Sequence, residues 1–120
     1  MSLSTVYQRL INNSALTALV SADNIYSRFL PDSATGPAVS FFLVSAPPIN
    51  SLSGEATTKN YNYQFDIWAD RVLVAEQIAE ALKDALVNGE DFKSVRISQE
   101  YDYEDLEGLH RITIEFSLWF

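Results

Sequence analysis

Cysteine is missing from this chain altogether. No disulfide framework, thiolate metal site or nucleophilic thiol is available, so the fold must be held by its core alone. That suits a reducing cytosol, although exported proteins also do without cysteine. Basic residues are scarce: 8 Lys and Arg stand against 16 Asp and Glu, for a formal net charge of −8. Nucleic-acid backbone binding needs clustered cations to displace counterions, so sequence-specific DNA or RNA binding is not expected. An anionic membrane surface repels the chain for the same reason. No apolar run approaches the ~18 residues of a membrane-spanning helix, and residues 1–20 are read as carrying no targeting signal.

Glycine is equally sparse. Gly36, Gly54, Gly89 and Gly108 are isolated, each where a turn is expected, so no phosphate-cradling loop is present. There is one histidine, His110, and no G-x-S-x-G or S-x-x-K pattern to give it a nucleophile. It reads as a partly exposed strand residue. The acids Glu100, Asp102, Glu104, Asp105 and Glu107 lack the spacing of a calcium loop and read as a solvated hairpin tip. No catalytic residue, cofactor site or metal site is expected.

What the chain does have is core material. Its 120 residues are 48% hydrophobic, enough for one packed domain over residues 1–120 and too much for disorder. Near the start, Thr5 and Gln8 have capping-box spacing while Val6 with Leu10 and Tyr7 with Ile11 fall at i,i+4, predicting a short helix over 4–12. Ser14 is a candidate cap for a further turn through Leu16, Leu19 and Val20. A short strand over 24–29 and a turn-rich stretch over 31–37 follow. Residues 38–46 form a nearly continuous apolar run, as in a strand buried on both faces, and Pro47 and Pro48 end it. A polar loop covers 49–58.

Alternation then takes over. Tyr61, Tyr63, Phe65 and Ile67 share one face of a strand, with Asn60, Asn62, Gln64, Asp66 and Trp68 on the other. Asp70 is the expected cap of the longest helix, about 71–88, whose Val74, Ile78, Leu82 and Leu86 form one apolar row beside Ala75 and Ala79. Glu76, Glu80, Lys83 and Asp84 mark its wet side, and Gly89 its stop. Residues 93–103 alternate weakly through Val95, Ile97, Tyr101 and Tyr103. After a turn at 104–108, Ile112, Ile114, Phe116, Leu118 and Phe120 alternate cleanly with Arg111, Thr113, Glu115, Ser117 and Trp119. The expected fold is α+β: a mostly antiparallel or mixed sheet with one long amphipathic helix packed on it and a short N-terminal helix.

Trp68 and Trp119 both fall on the polar faces of their strands. Each is covered either by its own chain or by another subunit, where aromatic residues are enriched. The apolar loop residues Pro47, Pro48, Ile49 and Leu52 either fold back on the core or reach a neighbour. These six residues are the candidate subunit or partner interface.

Three stretches together resemble bacteriophage tail-completion proteins. They are Ile25-Tyr26 with Pro31, Pro37 and the apolar strand over 38–45; Tyr63-Gln64-Phe65-Asp66-Ile67-Trp68-Ala69 running into an Ala-rich helix; and the closing run from Arg111 to Trp119. The resemblance spans nearly the whole chain and rests on residue-type patterns, not signature groups; the Ser/Thr-containing segment 32–36 departs from it. It implies a structural role like that of tail terminators: a homo-oligomeric ring, commonly hexameric, at the head-proximal end of the tail tube. Such a ring stops tube polymerisation and joins tail to head, its partners being the tail-tube and head-connector proteins. It would assemble in the host bacterial cytoplasm and reside at the head–tail junction of the virion. A surplus of carboxylates, including Glu55, Asp66 and Asp70, would suit a conduit through which DNA passes. A small ligand-binding or regulatory α+β module forming a dimer shares the same architecture and is the alternative.

Overall fold

In a computed structural model of the chain, described over residues 2–27, 36–46, 50–51, 54–55, 59–87, 92–104 and 108–120, three helices lie against one face of a mixed five-stranded sheet. Side chains are described for the same residues except 2, 50, 51, 54, 55 and 104. The elements are α1 (Ser2–Ile11), α2 (Ser14–Leu19), β1 (Ile25–Ser27), β2 (Ala38–Ser45), β3 (Asn50–Ser51), β4 (Gly54–Glu55), β5 (Asn60–Ala69), α3 (Val72–Val87), β6 (Lys93–Glu104) and β7 (Leu109–Trp119). Strand order is β1-β2-β5-β7-β6, with β1 parallel to β2 and the other pairs antiparallel. The expected α+β architecture is therefore present. The segment read as a plain loop over 49–58 contains the small antiparallel pair β3–β4.

Period two explains the sheet. Tyr63, Phe65 and Ile67 of β5 are buried, and their cross-strand partners Phe116, Ile114 and Ile112 of β7 are buried with them. On the other side of β5, Phe41 and Val39 pair with Phe65 and Ile67. The aromatic rings form a continuous stack: Phe65 lies 5.7 Å from Phe41, 6.2 Å from Tyr63 and 5.9 Å, edge-on, from Phe116. Such tilted and edge-on pairs add about 0.5–1.5 kcal/mol each beyond burial. The run over 38–46 is buried on both faces only for its first four residues; Leu43, Val44 and Ser45 are exposed, where the strand passes the end of β1.

Period 3.6 explains α3. Ala75, Ile78, Ala79, Leu82 and Leu86 are buried as one stripe on the sheet, and Ala81 and Ala85 let the α1–α2 pair approach its flank. Helix ends differ from expectation in three places. The carbonyl of Arg71 accepts the first bond of α3, from the Ala75 N–H at 3.1 Å, so the cap falls on Arg71 and not Asp70. The cap of α2 is Asn13, whose side chain accepts from the Leu16 N–H at 2.9 Å, one residue before Ser14. Helix α1 begins at Ser2, which puts Thr5 inside it and removes the capping box. At the other end of α3 the orphan carbonyl of Leu86 accepts from the Arg9 Nη1 at 2.9 Å and the Ser94 Oγ at 3.1 Å. The Arg9 guanidinium also sits 3.5 Å over the Phe92 ring, tying α1 to the start of β6.

Candidate assembly interfaces

The register divides the sheet into an inner, helix-covered face and an outer face that no described helix covers. The outer face carries Tyr26, Ser40, Phe42, Asn62, Gln64, Asp66, Trp68, Arg111, Thr113, Glu115, Ser117 and Trp119. It is polar but not uniformly wet. Asp66 is only 7% exposed and sits between Ser40 and Thr113 in the ladder. Its carboxylate accepts from the Thr113 hydroxyl at 2.7 Å and from the Gln64 amide at 3.2 and 3.3 Å. A buried carboxylate needs such donors to offset lost hydration. Asp66 is thereby a structural acid, tied up within its own sheet and unsuited to lining a conduit. Asp70 is exposed; the side chain of Glu55 lies outside the described ones.

The two tryptophans lie far apart on this face. Trp68 pairs with Arg111 and Trp119 with Asn60, at opposite ends of the β5–β7 ladder. The eight-residue offset amounts to ~27 Å at 3.4 Å per residue. Trp68 is half-buried, and the guanidinium of Arg111, itself bound to Asp102 at 3.0 Å, lies 5.3 Å from its ring. Arg111 thus covers part of the ring and leaves the rest open. Its indole N–H is buried without a hydrogen-bond partner among the described residues. Trp119 is 39% exposed at the end of β7. Pro47, Pro48, Ile49 and Leu52 lie outside the described residues.

Sequence reasoning missed the larger apolar exposures. On β6 these are Val95, Ile97, Tyr101 and Tyr103; on α3, Val72, Leu73 and Val87; on β2, Leu43 and Val44. The four β6 positions share one parity and read as one face. A bulge between Arg96 and Ser98 breaks the register, so Val95 lies opposite Ser117 on the outer face, while Tyr101 and Tyr103 lie opposite Ile112 and His110 on the helix side. The weak alternation of 93–103 was the available signal. His110 is half-buried between the rings of Tyr101 and Tyr103, with its Nδ1 hydrogen-bonded to the Tyr101 hydroxyl.

Two grooves flank the sheet at opposite edges. One, about 400 Å³, lies between α3 and β6 and is lined by Val72, Glu76, Gln99, Glu100, Tyr101 and Ile112. The other, about 330 Å³, is lined by Leu3, Ser4, Tyr7 and Ser27 beside α1 and β1. Glu80 is the one described group with a resolved shift: the hydrogen bond and charge of Lys83, 2.7 Å away, hold its carboxyl below the ordinary range. Among the described residues no group of three or more His, Cys, Asp or Glu side chains is placed to hold a metal ion.

Over residues 4–120 the chain matches the model of the family described as tail completion protein gp17. The chain belongs to that family. It is accordingly a structural protein of phage tail assembly. Among solved structures it is similar to a chain in the virion of a native gene transfer agent particle, with a TM-score of 0.71 and 22% identity over 95% of this chain and 90% of that one. At that identity the likeness establishes a shared fold. A crystal structure of a protein from Akkermansia muciniphila aligns with a TM-score of 0.47 and 11% identity, over 97% of this chain and 76% of that one. No curated protein matches the chain.

Proposed function

We propose that this chain, folded as a single domain over residues 1–120, acts without catalysis as a tail terminator. Copies of it close into a ring, six by the pattern the family resemblance implies, on the head-proximal end of the tail tube. The ring stops tube polymerisation and presents a surface to the head connector, with DNA passing through its centre. It assembles in the host cytoplasm and stays at the head–tail junction. The observation that carries this reading is the one-sided architecture. All described helices pack on one face, leaving the other face and the long edge of the sheet for neighbours. A closed ring needs two different complementary surfaces on each subunit, and a sheet with two unlike edges offers them. The net charge of −8 favours a lumen that repels the phosphate backbone and releases it.

In this role Trp119 is a contact residue, and the loop holding Pro47, Pro48, Ile49 and Leu52 reaches a neighbouring subunit or the tube. Incubating the protein with its phage's tail tubes tests the reading by electron microscopy and native mass measurement. The expected result is one six-membered ring at one end of each tube, with elongation arrested. Tubes that continue to elongate, or a protein that ignores them, would overturn it. Deleting residues 49–53 tests the loop separately: the melting temperature should hold while ring occupancy falls. A variant that unfolds would place the loop in the core.

A further inference from the structure

The two sheet edges differ in kind. The β6 edge is twelve residues long and bears exposed Val95, Ile97, Tyr101 and Tyr103, with Val72 of α3 lining the adjoining groove. Only β7 pairs with it among the described strands. At the far edge β1 covers β2 only at Val39, Ser40 and Phe41. No described strand pairs with that side of residues 42–45, where Leu43 and Val44 are exposed, and the same edge carries the hollow lined by Leu3, Ser4, Tyr7 and Ser27. Long apolar edges left open are a liability in a protein that stays single.

We infer that the subunit contact of the ring is heterologous and edge to edge, the β6–α3 flank of one copy packing against the β2–α1 flank of the next. The inference rests on the ring reading above and specifies its surfaces. Area supports a second copy as the occupant. Ile97, Tyr101 and Tyr103 of β6 with Val72 of α3, each about half exposed, offer on the order of 400 Å² on that flank. That is about the apolar share of the ~800 Å² each partner contributes to a stable interface. The opposite edge is its natural counterpart, since it too is apolar and it lies on the far side of the same sheet. Repeating one rigid contact between opposite edges propagates in one direction, and closes when the rotation per step divides a full turn. A β6-to-β6 contact, by contrast, would stop at a pair.

Two variants test this with no assumption about which residues touch. Ile97→Glu disables the first flank and Val44→Glu the second; both positions are about half exposed, so melting temperatures should match the parent. Each variant alone, added to tail tubes, should lose ring occupancy at least tenfold, because a carboxylate is trapped in a desolvated contact. An equimolar mixture of the two keeps one intact pair of flanks. It should yield two-copy complexes in native mass measurements and nothing larger. If Val44→Glu forms rings normally, or if the mixture contains no two-copy complex, the edge assignment is wrong. Loss of the rings in the parent protein itself would instead defeat the ring reading, so the two failures are distinguishable.

Discussion

Replacing Thr113 by valine removes one hydroxyl and almost no volume, and it isolates the energetics of the outer sheet face. The Thr113 hydroxyl donates to the Asp66 carboxylate at 2.7 Å, and among the described residues the other side-chain donor to Asp66 is the Gln64 amide, beyond 3 Å. Hydrogen bonds to charged groups contribute about 1.5–3 kcal/mol, and the loss is largest when the acceptor stays buried. Asp66 stays buried, at 7% exposure. We therefore expect Thr113→Val to cost about 2 kcal/mol, lowering the melting temperature by ~6–12 °C at about 3–6 °C per kcal/mol for a chain of this size. Thr113→Ser keeps the donor and should cost under ~1 kcal/mol, the value of one methyl group. Urea denaturation followed by circular dichroism gives both numbers, with an unchanged m-value showing that the denatured state is unaffected. A double-mutant cycle with Asp66→Ala should return a coupling of at least ~1 kcal/mol. Thr113→Val within ~0.5 kcal/mol of the parent, or a coupling near zero, would refute the view of Asp66 as an internally satisfied acid.

Phe65→Ala, which empties the centre of the aromatic stack, should cost about 3–5 kcal/mol and leave the chain close to its unfolding threshold, measured by the same denaturation. Lys83→Met should raise the titration midpoint of Glu80 towards the ordinary carboxyl range in an NMR titration. The sign follows from a depressed folded-state value: the Glu80–Lys83 pairing is present above the ordinary carboxyl range and is lost as pH falls through the depressed value. Because Glu80 is fully exposed, global stability should not move measurably. Trp68→Phe should leave stability within about 1 kcal/mol, since it deletes a buried indole N–H that has no partner among the described residues in exchange for lost ring area; a loss above ~3 kcal/mol would mean that the N–H is satisfied.

Helix and strand identities were legible from residue order because each is a local periodicity. The stripe of Ala75, Ile78, Ala79, Leu82 and Leu86 repeats every turn, and the alternation of Tyr63, Phe65 and Ile67 repeats every second residue. Caps were read less well. Asp70 and Ser14 are good capping residues by type, but the neighbouring Arg71 and Asn13 hold those places, because the chain's entry angle is set by what the helix packs on. The candidate interface was legible only in part. Trp119 was visible as an aromatic residue on a polar face, whereas the exposed row on β6 was hidden by its bulge, which moves Val95 to the opposite face from Tyr101.

Composition settled by itself that this chain has no thiol chemistry, and its excess of 16 acidic over 8 basic residues set the expectation that it does not hold nucleic acid. Periodicity determined the α+β class and nearly all of the core, since burying an apolar face is a one-dimensional pattern before it is a three-dimensional fact. The tertiary structure decided what strand order alone can decide: that among the described strands β6 and the end of β2 are the open edges, and that the described helices share one side. It also turned Asp66 from an apparent surface charge into a buried one, because its partner Thr113 lies 47 residues away and reaches it only through the β5–β7 register.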